Sequence, residues 1–142
     1  MRLVLDTNIV VAALLWSGPP RSLLDMAVDS NVEFFSSPVL IEELAHTLSY
    51  AKFAERIKGF GTNVDELVAR YAALVTLVTP TAVPRVVAND PDDDHVIAAA
   101  VTAQAVLIVS GDRKHLLPIG SHEGIGIVTA VQALAMLGVA RA

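Results

Sequence analysis

Five short apolar runs, separated by stretches with helical spacing or helix punctuation, constrain this chain more than any other feature. Arg2–Asp6, Val32–Phe35, Val106–Ser110 and Ile125–Val128 are rich in Val, Ile, Leu or Phe, and Val75–Val78 is a weaker fifth. Continuous β-branched and Leu-rich runs of this length suit strands buried on both faces, the situation of a parallel sheet. Between them, Asn8–Trp16 reads as an apolar helix broken at Ser17-Gly18-Pro19-Pro20, and Arg21–Asp29 as a second with Pro20 in its first turn. Ser37 is a natural N-cap with Pro38 behind it, starting a helix that runs towards Tyr50. Ala51–Lys58 stops at Gly59–Gly61, after which Thr62 or Asn63 caps a helix carrying Val64, Leu67, Val68, Tyr71 and Leu74 at helical spacing. Asp90–Asp94 is an acidic helix start and Ala130–Leu137 a closing helix. The alternation predicts an α/β fold: a mainly parallel sheet of four or five strands with helices on both faces. No linker, repeat or low-complexity segment interrupts residues 1–142, which predicts a single domain. In such sheets ligands bind beyond the carboxyl ends of the strands.

Composition narrows the classes. Hydrophobic residues make up 54% and charged residues 18%, which excludes disorder. Cysteine is absent, which excludes a disulfide framework and Cys-ligated zinc and fits a reducing cytosol. The mean hydropathy of +0.56 raises the question of a membrane span. The longest apolar stretch, Val96–Val109, is interrupted by Thr102 and Gln104 and falls short of the roughly 18 to 20 residues a span needs. Asp6 comes too early for the apolar region of a signal peptide. We therefore expect a soluble, cytoplasmic protein with no membrane partner. The net charge of −5 opposes a broad basic surface for nucleic acid. That objection weakens if several acids hold a cation, because a bound ion inverts the local field.

The acids fall where the sheet rule says to look. Asp6 ends the first strand and Asp112 follows the strand Val106–Ser110, although an Asp after a strand also serves as a turn former or helix cap. In Leu40-Ile41-Glu42-Glu43-Leu44, Glu43 lies slightly nearer than Glu42 to the inward stripe of Leu40, Leu44 and Leu48. Capping and a solvated first turn account for two or three acids of Asp90–Asp94, whereas Asp94 borders the apolar run beginning at Val96. Convergent carboxylates repel one another and raise some pKa values unless a divalent cation neutralises them. Hard oxygen donors favour Mg²⁺ or Mn²⁺ over Zn²⁺, and phosphodiester hydrolysis is the natural chemistry. His46 and His95 lie near acids but read as exposed or capping residues, and His115 and His122 lie in polar loops without an assigned role. Arg113 and Lys114 follow Asp112 closely enough to touch phosphates of a nucleic acid, with Arg21, Lys52, Arg56 and Lys58 as a scattered basic rim, although each taken singly reads better as an ordinary solvated charge. Trp16, Phe34 and Phe35 read as core rather than as stacking platforms.

Leu3-Val4-Leu5-Asp6-Thr7-Asn8 resembles the opening of a PIN domain, and Ser37-Pro38-Val39-Leu40-Ile41-Glu42-Glu43-Leu44 its second motif. Asp94-His95-Val96-Ile97-Ala98-Ala99 is similar to the third motif and Val109-Ser110-Gly111-Asp112 to the fourth. Each is short; the four in order across one chain are specific. The resemblance implies a three-layer α/β/α sandwich and a Mg²⁺- or Mn²⁺-dependent endoribonuclease, often the toxin of a type II toxin–antitoxin pair. It also implies RNA as substrate, an antitoxin protein as partner, and a homodimer or higher homo-oligomer. Carried over residue by residue, the catalytic and metal-binding acids are Asp6, Glu43, Asp94 and Asp112, with Asn8 and Ser110 in support. Ser110 stands where Thr is common in the family and keeps the hydroxyl. Two other classes compete: a catalytically silent protein-binding module of the same fold, and a phosphohydrolase working through an aspartyl phosphate at Asp6. The latter needs a second Asp two positions on, where this chain has Asn8.

Overall fold

The computed structural model describes residues 1–28, 31–81 and 91–138. Asp29, at the end of the second expected helix, and Asp90, at the head of the acidic run, lie outside the described residues. The described strands are β1 (Arg2–Leu5), β2 (Glu33–Ser36), β3 (Val75–Leu77), β4 (Leu107–Val109), β5 (Ser121–His122) and β6 (Ile125–Val128). The helices are α1 (Thr7–Leu15), α2 (Pro19–Leu24), α3 (Pro38–Leu48), α4 (Ala51–Gly59), α5 (Val64–Leu74), α6 (Pro91–Ala103) and α7 (Ala130–Met136). Their starts follow side-chain chemistry. Ser37 Oγ accepts the Leu40 amide, Asn63 Oδ1 accepts the Glu66 amide, and Thr129 with Gln132 forms a reciprocal capping box ahead of α7.

The strands form one sheet in the order β3-β2-β1-β4-β6-β5. All neighbours are parallel except β5, which runs antiparallel to β6. The sheet thus has six strands where four or five were expected. The addition is β5, a two-residue strand turned back through Glu123 (φ 49°) and Gly124 (φ 80°). Such a two-residue connection is usually signalled by Asn-Gly or Asp-Gly, and Glu-Gly gives no such warning. The second helix is also shorter than expected, ending at Leu24 and continuing as a 3₁₀ turn over Asp25–Val28.

Two cores flank the sheet. Leu3, Leu5, Phe34, Leu107 and Val109 face a layer that includes Leu15 of α1, Leu23 of α2, Leu44 and Leu48 of α3, Ile57 of α4, Tyr71 of α5 and Ala133 of α7. Val4, Phe35, Ile108, Ile125 and Ile127 face the opposite way, onto Val96, Ile97, Ala99, Ala100 and Ala103 of α6, with Leu40 and Leu116 at the margin. This is a three-layer α/β/α sandwich. No helix among the described residues is long and apolar enough to cross a membrane.

Candidate metal centre

Parallel pairing of β1 with β4 sets Leu5 opposite Val109, so the residues that follow, Asp6 and Ser110, leave the sheet side by side. Asp6 is buried and both its oxygens are engaged. Oδ1 accepts the Thr7 amide at 2.8 Å, capping α1, and Oδ2 accepts the Ser110 hydroxyl at 2.8 Å. Ser110 Oγ accepts in turn from the Asp112 amide at 2.9 Å. Asp112 Oδ1 accepts the amides of Lys114 and His115, each at 3.0 Å, which folds the segment after β4 into a tight turn. That turn is pinned to the protein by the Leu117 amide donating to the Asp112 carbonyl and by fully buried Leu116.

The second Asp112 oxygen points elsewhere. His115 Nδ1 lies 3.5 Å from Asp112 Oδ2 and 3.8 Å from Asp93 Oδ2. One donor atom from each of Asp93, Asp112 and His115 falls within 4.8 Å of the others. Asp93 arrives from the first turn of α6, whose apolar face packs it across β1, β2 and β4. Partial burial pushes the Asp112 carboxyl up, but the His115 amide, the Asp93 side chain, the Lys114 amide and the His115 imidazole together hold it below the ordinary carboxylate range.

Of the expected acids, the structure brings Asp112 into this group and ties Asp6 to it through Ser110. Asp94 is fully buried beside Asp93, and the carboxylate in the group is that of Asp93. Glu43 is partly buried and Glu42 exposed, the order that periodicity gave them. Among the described residues neither Glu43, Asp6 nor Asp94 falls within the 4.8 Å group. Asn8, Arg113 and Lys114 are exposed. Reasoning from sequence passed over His115, whose signal was its spacing: a residue three positions after a turn-forming Asp is returned to that Asp's carboxylate.

Two carboxylates and one imidazole form a donor set for a divalent cation, and an Asp112 held ionised supplies the negative charge such an ion needs. The sequence pattern of PIN domains matches residues 2–114. The chain belongs to the PIN domain family. A search of curated proteins finds no match. PIN domains are generally metal-dependent nucleases that bind divalent cations, and PIN domain proteins bind RNA and often pair with antitoxins. The fold is therefore of a nuclease type. Residues 115–138, outside the matched stretch, still add β6 between β4 and β5.

Proposed function

We propose that this PIN domain is an endoribonuclease dependent on Mg²⁺ or Mn²⁺, acting as the toxin of a type II toxin–antitoxin pair. The observation that carries the reading is the Asp93–Asp112–His115 group at the carboxyl edge of the sheet, joined to Asp6 by the Ser110 hydroxyl. Asp93 and Asp112 hold the cation, and Asp6 and Glu43 complete the acidic set around it. Asp94, carried over from the family motif, is the fully buried neighbour, and we assign the metal-binding role at this end of α6 to Asp93, whose carboxylate lies in the donor group. When bound, the cation supplies Lewis acidity and lowers the pKa of water at the scissile phosphodiester.

The protein's own groups position and attract. Ser110 fixes the rotamer of Asp6 and the start of the Asp112 turn from a fully buried hydroxyl, so it is committed to scaffolding and is no nucleophile. Arg113 and Lys114, exposed beside Asp112, neutralise substrate phosphates. An aspartyl phosphate at Asp6 fits less well, since both its oxygens are hydrogen-bonded inside the protein. We read the whole of 1–142 as one domain, since β6 and α7 close the sheet and core that residues 2–114 begin.

The test is cleavage of labelled single-stranded RNA by protein freed of any copurifying inhibitor. Activity should require Mg²⁺ or Mn²⁺, vanish with EDTA, and fall on the order of a hundredfold or more in Asp112→Asn and Asp93→Asn. Well-folded protein that cleaves nothing with either cation would sink the reading and leave the silent protein-binding module. Expression without its neighbouring genes should halt growth, and Asp112→Asn should relieve the arrest.

A further inference from the structure

His115 lies one residue beyond the stretch that matches the family, yet its ring faces both acids of the candidate centre. We propose that His115 Nδ1 is a direct ligand of the cation, and that this nitrogen donor makes the centre prefer Mn²⁺ to Mg²⁺. The inference rests on the nuclease reading for the existence of the cation site and adds to it the site's third donor and its selectivity.

Distances separate a ligand from an ion-pair partner. Charge-assisted hydrogen bonds from nitrogen to a carboxylate close to about 2.7–2.9 Å. The 3.5 Å and 3.8 Å separations of Nδ1 from Asp112 and Asp93 are longer than that. They fall between the roughly 3 Å and 4 Å that separate adjacent and opposite ligands around an ion bound at about 2.1 Å. The imidazole nitrogen thus stands off from each acid by a distance that suits two ligands of one ion.

The backbone that carries the ring is also fixed by the turn. The His115 amide donates to Asp112 Oδ1, which leaves Oδ2 on the side of the imidazole. Leu116, the next residue, is fully buried and anchors the turn in the core beneath α6. Imidazole and carboxylate are therefore positioned by the same short loop, and Asp93 is brought to them by α6. Preorganisation of this kind lowers the cost of binding. Mg²⁺ demands hard oxygen donors and gains little from imidazole, whereas Mn²⁺, though it too favours oxygen, is a transition ion that gains more than Mg²⁺ from one nitrogen donor beside carboxylates.

The decisive measurement is pulsed electron paramagnetic resonance of Mn²⁺ bound to the intact chain, together with calorimetric titration of Mn²⁺ and Mg²⁺. The native protein should show ¹⁴N modulation that is replaced on ¹⁵N-histidine labelling, a readout that needs no variant. The modulation should be lost in His115→Gln and kept in His95→Gln. In His115→Gln the Mn²⁺ Kd should rise about tenfold or more, and the Mg²⁺ Kd by less than about threefold. If His115 is instead a cationic counter-ion to the two acids, its removal tightens Mn²⁺ binding, and the proposal falls. Absence of nitrogen modulation in the native protein overturns it as well. RNA cleavage by the same samples keeps the two ideas apart: cation-dependent cleavage with no nitrogen signal removes His115 and leaves the nuclease standing. Failure to bind Mn²⁺ at all removes both.

Discussion

The two faces of the sheet are built from different materials. On one, residues from six helices (α1 to α5 and α7) interlock large side chains, among them Leu44, Leu48, Ile57 and Tyr71, against Leu3, Phe34 and Leu107. On the other, α6 is the one described helix lying along the sheet, and it presents Ala99, Ala100 and Ala103 to Val4, Phe35 and Ile108. Small residues let a helix approach its neighbour closely, and a close approach fixes position within narrow limits. The acid that joins Asp112, Asp93, comes from this alanine-faced helix. The thick face supplies stability, and the thin face sets where Asp93 stands.

That contrast can be broken, most forcefully on the thick face. Leu44→Ala, at a site 1% exposed, should cost about 2–5 kcal/mol in urea unfolding while leaving Mn²⁺ affinity within about twofold. A parallel loss of affinity would mean that the faces are not separable. Ala100→Leu, at a fully buried site under α6, should cost about 1–3 kcal/mol and also reduce RNA cleavage and cation affinity, because α6 must lift off the sheet. Full cleavage by this variant would show that the thin face has slack. Ser110→Ala removes a buried hydroxyl that donates to Asp6 and accepts from Asp112, and should cost about 1–3 kcal/mol by thermal unfolding.

The acid limb of stability is subtler. Asp112 is held below its ordinary value, so its ionised form stabilises the fold above the unfolded carboxylate pKa of about 4. That contribution disappears as pH falls through the depressed value. Melting curves in EDTA should show a steeper drop below about pH 4 for the native chain than for Asp112→Asn. Equal slopes would deny Asp112 its special environment. Smallest of all, Tyr71→Phe should change stability by less than about 1 kcal/mol, since the buried Tyr71 hydroxyl has no hydrogen-bond partner among the described residues.

Much of this was legible in the chain. Short apolar runs alternating with helix punctuation gave the layered α/β plan, and Ser37 and Asn63 cap the helices expected of them. Asp6 is the helix cap weighed for it, through Oδ1, and its Oδ2 accepts the Ser110 hydroxyl that also holds the Asp112 turn. Other features have no one-dimensional signature. Adjacent helical residues differ by about 100° in direction, so choosing between Asp93 and Asp94 requires the phase of a helix whose start is all acid. Both turn out buried, and only packing of the alanine face decides which carboxylate meets Asp112. Trp16 was expected in the core and is 41% exposed instead. Helix α1 ends one residue earlier, and the indole is covered by the Arg56 guanidinium 4.7 Å from its ring. A cation over an aromatic face substitutes for burial there in a way hydrophobic patterning does not register.

The position of β6 has a practical consequence for anyone trimming this protein to its recognised family segment. A chain cut after Lys114 would lose the strand that covers β4, whose three residues are all fully buried or nearly so. It would also lose Leu116, which roots the turn carrying Asp112. The bared amides and carbonyls of Leu107–Val109 would then offer a sticky, apolar template to any other extended chain. Such a fragment should precipitate or pair edge to edge with itself.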